Sequence, residues 1–118
     1  MKLPNAENAV IDIEKLRDYS LSPTNPKGLH KARLFQNKLA IEVDEAELLL
    51  EAIRKAIFVA DAVEQEPNGY GRRFRVDFIL GRGKGIIFYE AAVRSAWIIR
   101  SNEDFPRLVT CYNFRKSA

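Results

Sequence analysis

The chain has a single cysteine, a single histidine and a single tryptophan. Cys111 alone cannot form an intramolecular disulfide, and one cysteine with one histidine cannot supply the usual ligands of a zinc site. No apolar run approaches the roughly 18 residues that a membrane span requires, and no apolar stretch typical of a secretory signal follows Met1. The sequence therefore predicts a cytoplasmic domain with no metal or other cofactor and no membrane contact.

Apolar and charged residues are both plentiful, at 47% and 30% of the 118 residues. A chain of this length is typical of one domain, so we expect a single domain over 1–118. Residues 1–69 carry 9 Lys and Arg against 12 Asp and Glu, whereas residues 70–118 carry 10 against 4. A basic half favours a polyanionic partner, and a solvated basic sheet face is the alternative.

Up to about residue 60, apolar residues recur at the spacing of helices. Asp12 is predicted to cap a short first helix. Asn25 followed by proline is predicted to open a second helix through about Leu39. Asp44 with Glu47 resembles the capping box of a third helix.

From residue 61 onward the period changes to two, which is typical of strands. Strands are predicted at 70–80, 86–100 and 107–114, with 61–64 as a further edge strand. The glycine-rich segment Gly81–Gly85 is predicted as a hairpin turn. Helices first and strands afterwards predict an α+β fold, with helices from 1–60 packed on one face of a three- to four-stranded antiparallel sheet from 61–118.

The alternation along the strands assigns polar side chains to one face of the sheet. A turn at Gly81–Gly85 would place Arg75 opposite Glu90, and pairing Ile98 with Leu108 would place Arg94 beside Tyr112. The predicted polar face then contains Arg73, Arg75, Asp77, Glu90, Arg94, Thr110 and Tyr112. Arginine presents a fixed fork of donors to phosphate, and tyrosine can stack on a base. Ordinary cross-strand pairing is the alternative.

A second group of cations, Lys27, His30 and Lys31, falls at the start of the second predicted helix. Helix N-termini offer free N–H donors, so cations gathered there can form a phosphate cradle. Histidine is also the side chain best suited to proton transfer near neutral pH. The alternative is that the lysines are solvated and that His30 is an ordinary surface residue.

Five stretches resemble a small bacterial domain family that also occurs at the C-terminal tip of polymorphic toxins: LPNAENAVIDIEKLRDYSLSP, NPKGLHKARLF, YGRRFRVDFIL, VRSAWII and DFPRLVTCY. That family is similar to the barnase–EndoU–colicin–RelE superfamily of metal-independent ribonucleases. Members of the superfamily have N-terminal helices and a four-stranded antiparallel sheet. The resemblance therefore implies the same fold class as the hydrophobic pattern.

The resemblance also implies a function, a toxin-like endoribonuclease that cleaves RNA by attack of its 2′-hydroxyl. It implies a catalytic set of His30, Lys31, Arg94, Thr110 and Tyr112. The charge pattern adds three RNA-binding candidates, Lys27, Arg73 and Arg75. An acidic antitoxin or immunity protein is the expected partner. The alternatives are a non-catalytic RNA- or protein-binding module of the same fold, and a protein with no nucleic-acid role.

Overall fold

The computed structural model describes residues 1–115. The helical part consists of a 3₁₀ turn (Ala6–Asn8), α1 (Ile13–Lys15) continued by a π-helical turn (Leu16–Ser20), α2 (Leu29–Leu39), a 3₁₀ turn (Val43–Glu45) and α3 (Ala46–Val59). The strands are β1 (Ala62–Asn68), β2 (Gly71–Lys84), β3 (Ile87–Arg100) and β4 (Arg107–Asn113). In the described part of the chain, no helix is long and apolar enough to cross a membrane.

The four strands form one antiparallel sheet in the order β1-β2-β3-β4, and the helices pack on one of its faces. α2 contacts β3 and β4, while α3 contacts β2. The core between the layers contains Phe35, Leu49, Ile53, Phe74, Val93 and Trp97, all fully buried. The predicted α+β fold, with helices on one face of an antiparallel sheet, is confirmed.

The first predicted helix has the expected cap, because the Asp12 carboxylate accepts a hydrogen bond from the backbone N–H of Glu14 at 3.0 Å. The second helix begins later than predicted, at Leu29. The Asn25 side chain accepts a hydrogen bond from the N–H of Lys27 at 3.0 Å. Asn25 therefore forms an Asx turn ahead of the helix and does not act as its N-cap.

The capping box predicted for the third helix is wrong. Asp44 lies in the preceding 3₁₀ turn, and α3 starts at Ala46 with no side-chain cap. The N-cap residue, Glu45, instead directs its carboxylate to Arg82 on β2, with Oε2 2.6 Å from Nη2. A tertiary ion pair thus replaces the local hydrogen bond that the sequence pattern indicated.

The β2–β3 hairpin turns at Gly85 and Ile86, and not over the whole of Gly81–Gly85. Lys84 pairs with Ile87, and Gly85 takes the left-handed conformation with φ +63°. β2 therefore continues to Lys84, beyond its predicted end at residue 80, and its register with β3 differs from the prediction.

The changed register gives Arg75 a different cross-strand neighbour. Arg75 lies opposite Ala96 and Glu90 lies opposite Gly81, so the predicted Arg75–Glu90 pairing is wrong. The extension of β2 brings Arg82 to the end of α2, where its guanidinium donates to the carbonyl of Ala40 at 3.0 Å.

The predicted β3–β4 register is confirmed on one side of an irregularity and is wrong on the other. Arg94 pairs with Tyr112 as predicted, whereas Ile98 pairs with Arg107 and not with Leu108. An irregularity between residues 96 and 97 shifts the register by one residue. Bulges of this kind are not encoded in the alternation of apolar residues.

Ala40 ends α2 in the left-handed conformation, with φ +51° and ψ +34°. That conformation costs an L-residue about 1–2 kcal/mol and costs glycine little. Glycine in turn loses about 0.5–1 kcal/mol of chain entropy on folding. We therefore expect Ala40→Gly to raise the free energy of unfolding by about 0.5–1 kcal/mol. Urea unfolding followed by the fluorescence of the buried single tryptophan, Trp97, measures this change. The control Ala52→Gly, inside α3, should lower stability by about 1 kcal/mol. An equal loss in both variants would contradict the prediction.

Candidate nucleic-acid interface

The face of the sheet opposite the helices contains a groove of about 890 Å³, called here the sheet groove. It runs across β2, β3 and β4 and reaches the β1–β2 turn. Among the described residues, six cationic side chains line it: Lys15, Arg73, Arg75, Arg94, Arg100 and Arg107. No carboxylate within residues 1–115 lines it. The sheet groove therefore presents one sign of charge.

Two carboxylates outside the sheet groove pair with some of its cations. Asp77 binds Arg94 through two hydrogen bonds of 2.9 and 3.0 Å and lies 3.9 Å from Arg75. Glu103 binds Arg107 through two bonds of 2.8 Å. Among the described residues, the remaining groove cations, Lys15, Arg73 and Arg100, form no ion pair.

Arg94 is held by both a carboxylate and an aromatic ring. Its guanidinium lies 4.4 Å from the centre of the Phe114 ring, in addition to its two bonds to Asp77. The Asp77 carboxylate, and to a smaller extent the Tyr112 phenol, raise the pKa of Arg94 above its ordinary value, so the group is always charged. Arginine has five N–H donors, and Asp77 takes two, which leaves three for a ligand.

Lys31 joins this region from the helical layer. It lies on α2, which contacts the outermost strand β4, and its Nζ donates to Thr110 Oγ1 at 2.9 Å. The same ammonium group lies 5.3 Å from the centre of the Tyr112 ring, a cation–π distance. Since Tyr112 pairs with Arg94 across the sheet, Lys31, Arg94, Thr110 and Tyr112 form one cluster, called here the phosphate cluster.

A smaller groove of about 350 Å³, called here the side groove, lies along the edge of β4. The π-helical turn, the segment Lys27–Gly28 and β4 form its walls. Lys27 and Lys31 line it together with Lys15, and both Lys15 and Thr110 also line the sheet groove. The two grooves therefore adjoin at the phosphate cluster.

The predicted site residues fall into three locations. Arg73 and Arg75 line the sheet groove, and Lys27 lines the side groove. His30 is exposed on α2 and lines neither groove. Successive side chains on a helix point about 100° apart, so a helix that directs Lys31 towards β4 turns His30 away from it.

The groove residues missing from the predicted set include three cations, Lys15, Arg100 and Arg107, and one aromatic residue, Tyr70. Arg100 lies on the same face as Arg94, and the period-two alternation was sufficient to include it. Lys15 comes from α1, and no local pattern links it to the sheet. Tyr70 lies in the β1–β2 turn with 76% of its surface exposed, and an aromatic residue beside a turn glycine was its only sequence signal.

The single thiol belongs to the core and not to these grooves. Cys111 is fully buried on the helix-facing side of β4, and its Sγ lies 3.7 Å from Ser20 Oγ. Burial raises the pKa of the Cys111 thiol to about 11. Because the thiolate is the nucleophilic form, Cys111 has the character of a packing residue.

Comparison with curated proteins and with solved structures gave no match. A family model described as Domain of unknown function (DUF6883) matches residues 2–115. This match spans both the helical layer and the sheet, including every residue of the two grooves. The protein therefore belongs to the DUF6883 family of domains of unknown function.

Proposed function

We propose that this protein is a metal-independent, toxin-like endoribonuclease that acts in the cytoplasm and binds its RNA in the sheet groove. The observation that carries the proposal is the lining of that groove, with six cationic side chains and no carboxylate within residues 1–115. A chain of phosphodiesters matches a row of cations, and arginine binds phosphate oxygens through paired donors. The resemblance to a ribonuclease superfamily supports the same choice.

RNA carries its own nucleophile, so the protein needs no activated serine or cysteine. In the proposed reaction the 2′-oxygen attacks the adjacent phosphorus and the bond from phosphorus to the 5′-oxygen breaks. The products are a 2′,3′-cyclic phosphate and a 5′-hydroxyl. The protein must accept the 2′-hydroxyl proton, stabilise the added charge on the phosphoryl oxygens and protonate the leaving oxygen.

The phosphate cluster supplies groups for two of these tasks. The free donors of Arg94 and the ammonium of Lys31 bind the phosphoryl oxygens, and the Thr110 hydroxyl donates to one of them. The phenol of Tyr112, between the two cations, donates its proton to the leaving 5′-oxygen and recovers it from water.

The remaining task, removal of the 2′-hydroxyl proton, falls to His30 or to water. His30 is exposed beside Lys31 on α2, outside both grooves. It can take the proton only from an RNA that extends beyond Lys31 across the edge of β4. The phosphate cluster thus stabilises the charge, and experiment decides whether His30 or water is the base.

The test is cleavage of total cellular RNA by the purified protein in excess chelator. We expect discrete fragments that end in 2′,3′-cyclic phosphate and 5′-hydroxyl groups. A 2′-O-methyl oligonucleotide of a cleaved sequence is the matched control and should stay intact, because its nucleophile is blocked. Cleavage that requires a metal ion, or RNA that is bound and remains whole, would contradict the proposed reaction.

The position of His30 outside both grooves favours a second candidate, an RNA-binding module without cleavage. This module would bind RNA with an affinity that falls steeply with salt, since each neutralised phosphate releases counterions. Its RNA would stay intact under conditions where binding is demonstrated. In either case an acidic antitoxin or immunity protein is the proposed protein partner, because the same positive charge would attract it.

A further inference from the structure

Tyr70 exposes a large aromatic ring that does not contribute to the packing of the fold. The residue lies between β1 and β2, 76% exposed, at the rim of the sheet groove. A buried tyrosine contributes to a core, but this ring is not part of the hydrophobic core. An exposed aromatic ring beside a cationic groove is a typical feature of surfaces that bind unpaired nucleotides.

The backbone around Tyr70 is fixed on both sides. The Asn68 side chain accepts a hydrogen bond from the Tyr70 N–H at 2.9 Å, and the Tyr70 carbonyl accepts one from the Ser101 N–H at 3.0 Å. The next residue, Gly71, packs so closely on β3 that a Cβ would lie 2.1 Å from the Ile99 carbonyl oxygen. The turn therefore holds the backbone of Tyr70 at the rim of the groove.

The groove that Tyr70 lines also contains cations that could bind phosphates. Arg73 and Arg100 line the same groove, and neither forms an ion pair within the described residues. Phosphates held by these arginines would bring an adjacent base to the Tyr70 ring. Stacking on an aromatic side chain needs a free base face, and in a duplex both faces are covered by neighbouring base pairs.

We propose that Tyr70 is a base-stacking residue and that the sheet groove consequently selects single-stranded RNA over duplex RNA. This inference rests on the proposed function, since it requires RNA in the sheet groove. It adds the substrate class and a binding residue that lies outside the phosphate cluster.

The experiment measures binding of a short, labelled 2′-O-methyl oligoribonucleotide by fluorescence anisotropy, at low salt and in chelator. The methyl groups prevent cleavage, so only affinity is observed. We expect Tyr70→Leu to weaken single-strand binding about tenfold, in line with the measured contribution of one stacked base. Tyr70→Phe keeps the ring and should bind within about twofold of the wild type.

Two controls separate stacking from charge and from unfolding, and a duplex tests the selectivity for single strands. Phe58→Leu removes a half-exposed ring from α3 outside both grooves and should leave affinity unchanged. Inorganic polyphosphate offers phosphates without bases, and all three variants should bind it as the wild type does. A duplex of the same sequence should bind more weakly than the single strand and should be insensitive to Tyr70→Leu.

Three other outcomes would refute stacking by Tyr70, and one of them would also refute the proposed function. Wild-type binding of the single strand that Tyr70→Leu leaves unchanged would refute stacking while the proposed function stands. Loss of polyphosphate binding in Tyr70→Leu would refute it as well, since the residue would then act through the fold or the charge. No binding of the single strand by the wild type would refute both the inference and the proposed function.

Discussion

Lys31→Met is expected to lower the rate of RNA cleavage about 100-fold, the usual effect of removing one donor to a developing oxyanion. The Nζ atom of Lys31 is held by Thr110 Oγ1 at 2.9 Å and lies over the ring of Tyr112. Methionine keeps a long apolar stem, so the packing of α2 against β4 should persist. Single-turnover cleavage of a short RNA in chelator measures the change.

The matched control is Lys38→Met, in the last turn of the same helix and outside both grooves. It should cleave at the wild-type rate, because the net charge changes equally while the phosphate cluster is intact. Comparison with His30→Gln then identifies the base: a loss of about 100-fold assigns proton transfer to His30, and an unchanged rate assigns it to water. Equal rates for Lys31→Met and Lys38→Met would contradict the assignment of Lys31.

Arg82→Met is expected to lower the free energy of unfolding by about 2 kcal/mol. The Arg82 side chain is only 10% exposed, and it donates to both oxygens of Glu45, at 2.6 and 3.2 Å. It also donates to the carbonyl of Ala40 at the end of α2. Removing one partner of a fully buried ion pair costs about 3–5 kcal/mol, and the partial exposure of Glu45 reduces that cost here.

The same pair makes stability depend on pH in the acid range. The hydrogen bond from Arg82 lowers the pKa of Glu45 below its usual value. A carboxyl with a lowered folded-state pKa stabilises the fold above its unfolded pKa of about 4.3, and this contribution is lost as the pH falls through the folded-state pKa. The difference between wild type and Arg82→Met should therefore be largest near neutral pH and should shrink below about pH 4.

Urea unfolding followed by Trp97 fluorescence at several pH values measures both effects. Arg72→Met is the matched control, since Arg72 also forms two bonds to a glutamate, Glu64, but in an exposed pair. Exposed pairs contribute about 0–1 kcal/mol, so this variant should lose little stability. A loss at Arg82 no larger than the loss at Arg72 would show that burial adds nothing to the pair.

The sequence was sufficient to predict the layer of helices, the sheet and which side chains lie on each face of the sheet. Side chains of a strand alternate between faces, and a register slip of one residue would bury arginines. The alternation therefore placed Arg73, Arg75 and Arg94 together on the open face, and the structure has them lining one groove. It also predicted that Arg94 would pair with Tyr112, as observed.

The length of the central hairpin could not be predicted from the local pattern. Three glycines within Gly81–Gly85 offer several positions for a turn, and all of them satisfy the local rules for hairpins. The chosen turn at Gly85 and Ile86 leaves Arg82 on β2, where it meets Glu45 and the end of α2. The position of the β2–β3 turn therefore goes with a contact between segments that are distant in the sequence.

The sequence by itself determined the α+β class, the buried faces of β2, β3 and β4 and the cationic character of the opposite face, because these follow from periodicity and charge. The tertiary structure alone decided which cations meet. Lys31 reaches Thr110 because α2 packs beside the outermost strand, and the same orientation turns His30 outward. Distances between residues 79 positions apart depend on how layers pack, and no local pattern encodes them.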